Sequence, residues 1–267
     1  MSVDRQKLIP HVADIARRAC AAIMEVHRSK DLGQTTKADR SPLTVADLRA
    51  HQIIVHSLKA LTPDIPVLSE EGTLIPLEER SRWQRHWLVD PLDGTKEFVS
   101  GNGEFTCNIA LIENHEPQLG LVGVPVTETL YWGGPGLGAS RKVGDAAATE
   151  IRVERRAHVP LRVIGSKSHR GDSLDVLFAR LGPHVFVPVG SALKFCLIAE
   201  GAADFYPRLG PTSEWDTAAA HAVVIGAGGR VVELSGAPLR YNTKPDLLNP
   251  HFLVFGDASR DWLALFR

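Results

Sequence analysis

The stretch Trp87-Leu88-Val89-Asp90-Pro91-Leu92-Asp93-Gly94-Thr95-Lys96-Glu97-Phe98 constrains this chain more than any other. Three apolar residues read as the end of a buried strand; two carboxylates, a proline and a Gly-Thr pair then follow in quick succession. Pro91 has a fixed φ and no N–H to give to a sheet ladder. The strand is therefore expected to stop near Asp90 and to leave that carboxylate at the sheet edge. Gly94 permits a tight turn, which frees the amides of Gly94 and Thr95 to face an anion. Carboxylates this close repel each other unless a cation lies between them, and hard oxygen donors suit Mg²⁺, Mn²⁺ or Ca²⁺. No Cys/His ligand cluster accompanies them, which argues against structural zinc. Taken alone, Asp-x-x-Asp-Gly also serves as a plain strand-to-turn transition with Asp90 as a cap, so the motif needs support from the rest of the chain.

With 267 residues the chain can bury a full core, as one large domain or as two sub-domains sharing an interface. Lys+Arg total 30 and Asp+Glu 31, so no net field recruits nucleic acid or an anionic membrane, and any affinity for phosphate must be local. Cys20, Cys107 and Cys196 lie far apart among apolar neighbours, the pattern of reduced core thiols in a cytoplasmic protein. Residues 1–10 are polar, and no apolar run reaches the roughly 18 residues of a membrane span. A soluble protein without an integral membrane segment is expected.

Leu8, Ile9, Val12, Ile15, Ala16, Ala22, Ile23 and Val26 recur at helical spacing and predict an amphipathic helix over 3–26. A second helix opens in 41–47 and runs to about Leu61, with Leu48, Val55, Leu58 and Leu61 expected on its buried stripe. Asp47 falls in its first turn, where an acid is favoured by the helix dipole in any case. A short strand, 65–68, leads into Ser69-Glu70-Glu71-Gly72, and 78–87 carries no assigned chemistry. Beyond the central stretch, strands are predicted over 105–112, 118–124 and 129–132, turning first at Asn114-His115-Glu116. A flexible glycine-rich connector, 133–138, precedes another strand at 139–142. The charged segment 150–159 is expected to divide the chain into an α+β half, 1–155, and an α/β half, 156–267. In the second half, strands at 161–164, 185–189 and 203–206 alternate with a helix at 173–181 and one capped by Ser191 and running to Glu200. A helix near Trp215 then carries Asp216 in its first turn, and 252–255 is a last buried strand.

Acids therefore collect at element ends: Asp47, Glu70, Asp90, Asp93 and Asp216. Converging in one cleft, they would require cations. Asp90-Pro91-Leu92-Asp93-Gly94-Thr95 resembles the signature of the inositol monophosphatase-like superfamily of metal-dependent, lithium-sensitive phosphatases. Ser69-Glu70-Glu71 precedes it at the expected distance, and Trp215-Asp216-Thr217-Ala218-Ala219 resembles the second signature. Within the superfamily, Gly94-Thr95-Lys96-Glu97-Phe98 and Asn102-Gly103-Glu104-Phe105 are more similar to the bacterial 3'(2'),5'-bisphosphate nucleotidases than to the inositol monophosphatases.

The resemblance implies a layered α/β/α/β/α sandwich with two or three Mg²⁺ ions. Their ligands would be Glu70, Asp90, Asp93, Asp216 and the backbone carbonyl of Leu92, with Glu71 close by and Lys37 given an active-site role. Thr95 would orient the attacking water and Asp47 would accept its proton. Substrate contacts are implied for Glu70, Leu92, Asp93, Gly94, Thr95 and Asp216. Two further runs, Gly165-Ser166-Lys167-Ser168-His169-Arg170 and Gly190-Ser191-Ala192-Leu193-Lys194, read by themselves as solvated loops. In the light of the resemblance, His169, Ser191 and Lys194 would receive a second phosphate. His221 is expected to be a packed helix residue, not a ligand. The implied substrate is the small nucleotide adenosine 3',5'-bisphosphate, cleaved to AMP and phosphate in sulfur assimilation. The expected location is the cytoplasm, with a peripheral inner-membrane association and a homodimer left open. The rival readings are an inositol or sugar-phosphate monophosphatase with the same metals, and a non-catalytic binder of phosphometabolites or Mg²⁺.

Overall fold

A computed structural model describes residues 4–29, 32–37, 42–166 and 172–267. Helix α1 (Arg5–Ser29) turns Leu8, Val12, Ile15, Ala16, Ala19, Ile23 and Val26 inward, the three-and-four spacing of an amphipathic helix. Two short strands, β1 (Thr35–Thr36) and β2 (Pro42–Leu43), pair antiparallel before α2 (Val45–Leu61). Thr44 and Asp47 close a capping box at the start of α2. The buried stripe of α2 is Ala46, Asp47, Ala50, Ile54 and Leu58, and Leu48 is 43% exposed, contrary to the sequence expectation. The rotation that carries Asp47 inward sets small residues against the core and turns Leu48 out.

Seven strands form the larger sheet in chain order: β3 (Val67–Ser69), β4 (Arg85–Asp93), β5 (Thr106–Glu113), β6 (Glu116–Val124), β7 (Thr129–Gly134), β8 (Gly138–Val143) and β9 (Thr149–Glu150). Only β3 and β4 run parallel; every later pair is antiparallel. The short helices α3 (Leu77–Arg80) and α4 (Thr95–Ser100) flank β4. The β5–β6 turn places Asn114 and His115 at φ 50° and 69°, the double left-handed turn that matches strand twist. The stretch 133–138 is a tight β7–β8 turn, not the expected connector, because the C-terminal end of the long helix α7 (Glu214–Gly226) lies directly on it. A Cβ on Gly226 would come within 2.7 Å of the Gly134 nitrogen.

The smaller sheet has the order β11-β10-β12-β14-β13, from β10 (Leu161–Gly165), β11 (His184–Pro188), β12 (Phe205–Arg208), β13 (Arg230–Glu233) and β14 (Phe252–Phe255). Its β10 pairs are parallel and its β14 pairs antiparallel. Strand β13, four residues beginning just after Gly228-Gly229, is not among the elements expected from the sequence. One core fastens α1 and α2 to the larger sheet, a second fills the space between the sheets around α7 and α6 (Leu193–Ala199), and a third joins the smaller sheet to α5 (Asp172–Leu181) and a terminal 3-10 turn, Trp262–Phe266. The result is the layered α/β/α/β/α sandwich that the family resemblance implied. All three cysteines are free, with Cys107 and Cys196 inside. Among the described residues no helix is long and apolar enough to cross a membrane.

Strand β4 departs most usefully from expectation. It does not stop near Asp90 but continues to Asp93, and its pairing with β5 shifts register between those two residues. Pro91 lies in that irregularity, where its missing N–H costs no regular ladder bond. In a regular strand, residues three apart face opposite sides of the sheet; the bulge brings both carboxylates to one site.

Arg80, 1% exposed, ties the two parts of the chain together. Its guanidinium donates to Asn242 Oδ1, to the Lys244 carbonyl at 2.7 Å and to the Pro245 carbonyl at 2.5 Å, and Asn242 Nδ2 returns a bond to the Arg80 carbonyl at 2.8 Å. Replacing Arg80 by Ala strands these buried acceptors and is expected to cost about 3 kcal/mol of unfolding free energy, measured by urea denaturation.

Candidate active site

Four elements converge at the C-terminal end of β4. The first turn of α2 supplies Asp47, the end of β3 leads into Glu70, the bulged end of β4 carries Asp90, Leu92 and Asp93, and the first turn of α7 supplies Asp216. Asp47 is 1% exposed. Its Oδ2 accepts from the Thr44 amide at 2.7 Å and the Thr44 hydroxyl at 2.6 Å, which leaves Oδ1 to face Thr95 Oγ1 at 3.3 Å. The same Thr95 hydroxyl lies 3.3 Å from the Leu92 carbonyl oxygen. One hydroxyl proton thus has two acceptors, and Asp47 is aimed at Thr95 by the capping box itself. Burial raises the Asp47 pKa, and the Thr44 hydrogen bonds oppose it.

Oxygens of Asp90, Asp93 and Asp216 all lie within 4.8 Å of one another. Asp90 accepts from the Leu92 amide at 3.0 Å, and Asp216 from Thr212 Oγ1 at 2.7 Å and the Ser213 amide at 2.9 Å. Burial, then mutual repulsion, pushes Asp93 up to about 7 and Asp90 well above the usual carboxylate range. Burial also raises Asp216, against its hydrogen bonds from Thr212 and Ser213. Glu70 rises to about 7, again chiefly through burial, although Lys37 Nζ is 2.7 Å from it and also bonds Glu71. Burial alone would lower the Lys37 pKa; its two glutamate partners reverse the shift and raise it.

A cleft with a volume of about 290 Å³ opens beside the acids. Asp93, Gly94 and Asp216 line it together with Ser191, Lys194, Tyr206 and Arg208. Lys194 is 6% exposed, donates to the Ser191 carbonyl at 2.5 Å, and is drawn down to about 8 by burial in spite of the charge on Asp93. Ser191 is not the helix cap expected from sequence. Ala192 holds that position, while Ser191 adopts φ 46° with its hydroxyl buried and without a partner among the described residues. Arg208 and Tyr206 were missed in the sequence, where Phe205-Tyr206-Pro207-Arg208 reads only as a strand end. Neither residue type nor spacing marked them. His169, with its neighbours Lys167 and Arg170, lies outside the described residues. His221 is packed as expected: it is buried, its Nδ1 is 2.9 Å from the Tyr241 hydroxyl, and burial pulls it down to about 3.

Enclosed carboxylates with raised pKa values form an all-oxygen donor set that suits a hard divalent cation. The profile of the inositol monophosphatase family matches residues 4–257. The chain belongs to the inositol monophosphatase family. Members of this family are metal-dependent phosphatases. Among its relatives is the 3'(2'),5'-bisphosphate nucleotidase CysQ of Salmonella typhimurium, 47% identical over 248 residues that cover 92% of this chain and 99% of that protein. The CysQ of Haemophilus influenzae is 38% identical over 232 residues, 86% of each chain. The crystal structure of CysQ from Bacteroides thetaiotaomicron superposes with a TM-score of 0.83 at 39% identity, covering 97% of this chain and 99% of that one. An inositol monophosphatase from Anabaena shares the fold, with a TM-score of 0.77 at 23% identity over 98% of this chain and 95% of its own.

The raised carboxyls set a sign for pH dependence. Folding keeps protons on Asp93 and Glu70 up to about 7, whereas the unfolded chain releases them near 3.8 and 4.5, so without cations stability falls as pH rises through that window. In chelator at about pH 8, Asp93→Asn is expected to stabilise the protein by about 2 kcal/mol, with the gain vanishing below about pH 4. Thermal unfolding across this pH range reads both ends.

Proposed function

We propose that this chain is a Mg²⁺-dependent 3'(2'),5'-bisphosphate nucleotidase that removes the 3'-phosphate of adenosine 3',5'-bisphosphate to give AMP and phosphate. The observation that carries this reading is a cleft lined both by the acids Asp93 and Asp216 and by Lys194 and Arg208, in a chain 47% identical to the Salmonella nucleotidase. Residues 1–155 supply most of the acids, and 156–267 supply Asp216 and the residues that select the substrate. That substrate assigns the protein to sulfur assimilation in the cytoplasm.

Glu70, Asp90, Asp93, Asp216 and the Leu92 carbonyl would hold two or three Mg²⁺ ions. Bound there, divalent cations polarise the phosphoryl oxygens and lower the pKa of water. Thr95 orients the attacking water, and its hydroxyl passes a proton to Asp47 Oδ1, which the Thr44 bonds hold in place. The water gives a proton to the Thr95 oxygen as its own oxygen bonds to phosphorus; the bond from phosphorus to the ribose 3'-oxygen breaks, and the leaving 3'-oxygen takes up a proton from a second water to become the 3'-hydroxyl of AMP. Amides of Gly94 and Thr95 stabilise the charge that develops on the phosphoryl oxygens. Ser191, Lys194 and His169, the last outside the described residues, take the second phosphate, which an inositol monophosphate lacks.

Phosphate release with Mg²⁺ from adenosine 3',5'-bisphosphate, inositol 1-phosphate and AMP tests the substrate. A preference for the bisphosphate, abolished by chelator, is expected; a preference for inositol 1-phosphate would overturn the substrate while leaving the acid cluster its role. Asp47→Asn is expected to lower kcat about a thousandfold while phosphate still binds in the presence of metal. Undiminished turnover in that variant would remove Asp47 as the base.

A further inference from the structure

The Asn102-Gly103-Glu104-Phe105 motif lies outside the acid cluster, and the chemistry above gives it no task. Its carboxylate reaches across the cleft's edge: Glu104 Oε2 accepts a 2.7 Å hydrogen bond from the Gly190 amide, 86 residues away. Glu104 is itself set by Asn102, whose Oδ1 accepts from its amide at 2.9 Å. The approach is so close that Gly190 has no room for a side chain. A Cβ there would lie 2.8 Å from the Glu104 carbonyl oxygen and 3.0 Å from Glu97 Cγ.

Ser191 follows with φ 46°, a left-handed backbone that a non-glycine residue keeps only when its surroundings over-determine it. Three successive residues supply those restraints. The Gly190 amide donates to Glu104, the Ser191 carbonyl accepts from Lys194 Nζ, and the Ala192 amide donates to Asp93. Lys194 belongs to the same short segment, and Asp93 is committed to the acid cluster. Glu104 is therefore the outside brace of the turn. What the turn presents is the Ser191 hydroxyl, buried and without a hydrogen-bond partner among the described residues, beside Lys194.

We propose that Glu104 is a positioning residue for substrate selection. Its carboxylate holds the Gly190-Ser191 turn in the left-handed form and so presets Ser191 and Lys194 for the second phosphate of a nucleotide bisphosphate. The proposal rests on the bisphosphate reading above. A turn without its brace samples other backbone states, and apparent affinity falls with the fraction of the competent one. Ground-state binding of the second phosphate is weakened, while the proton transfer at Asp47 and Thr95 is untouched.

The test uses the full chain with Mg²⁺ and two substitutions, Glu104→Ala and Glu104→Gln; glutamine keeps an oxygen that can accept from Gly190. Glu104→Ala is expected to raise KM for adenosine 3',5'-bisphosphate about tenfold, with kcat within about twofold, and Glu104→Gln to restore most of the loss. Amide hydrogen exchange of the segment containing Gly190 is expected to quicken about tenfold in Glu104→Ala alone. Unchanged exchange in Glu104→Ala, a kcat loss at constant KM, or failure of glutamine to restore KM would each overturn the proposal. Should the wild-type protein prefer inositol 1-phosphate, the substrate reading falls, and the exchange measurement still decides by itself whether Glu104 braces the turn.

Discussion

Repulsion among enclosed carboxylates is the constraint around which this molecule is built. Asp90, Asp93 and Asp216 crowd within 4.8 Å of one another, with Glu70 close enough to raise the Asp90 pKa, and burial disfavours the charge on each. An arrangement so unfavourable by itself persists because rigid elements impose it: a strand buried on both faces, a helix between two sheets, and capping boxes that use Asp47 and Asp216 as structural acceptors. In both capping boxes one carboxylate oxygen answers to the helix and the other is left for chemistry. The same side chain thus contributes to stability and is aimed by it.

The two sheets divide the work of positioning. The larger sheet presents Asp90 and Asp93 at the end of one strand and keeps α2 against it, so that Thr95 and Asp47 meet. The smaller sheet carries Arg208 and Tyr206 on β12 and stands against the N-terminal turn of α6, whose Lys194 ammonium lies 5.7 Å from the Tyr206 ring centre. Between them, α7 packs on both and carries the acid that completes the cluster.

How much of this could be read in advance depended on the range of the interactions. Asp90, Asp93, Thr95 and Asp216 stand in dense local patterns that by themselves also fit turns and helix caps; their assignment to one site, like the layered fold, followed from the motifs' family resemblance. The bulge at Pro91 was not legible: proline signals an interruption of the ladder, and only the partner strand β5 decides whether the strand ends or shifts register. The buried stripe of α2 was misread because the larger apolar residues were given the core, whereas rotation is set by Asp47. Ser191 looks like a cap because serine usually is one. Its actual backbone is dictated by Glu104 and Asp93, both about a hundred residues earlier in sequence, and no local pattern encodes that. Arg80 was invisible for the same reason, since its partners lie 162 to 165 positions away.

The placement of Asp216 on α7 bears on the order in which the molecule assembles. Everything else in the acid cluster comes from residues before 94, yet the cluster is incomplete until a helix beginning at Glu214 has threaded between the sheets and been pinned by Arg80 and its partners. Contacts of such long sequence separation close late, after the entropy of the intervening chain has been overcome. The acids are therefore forced together only when the interior is otherwise formed. A nascent chain still lacking α7 carries a partial, less repulsive set of acids.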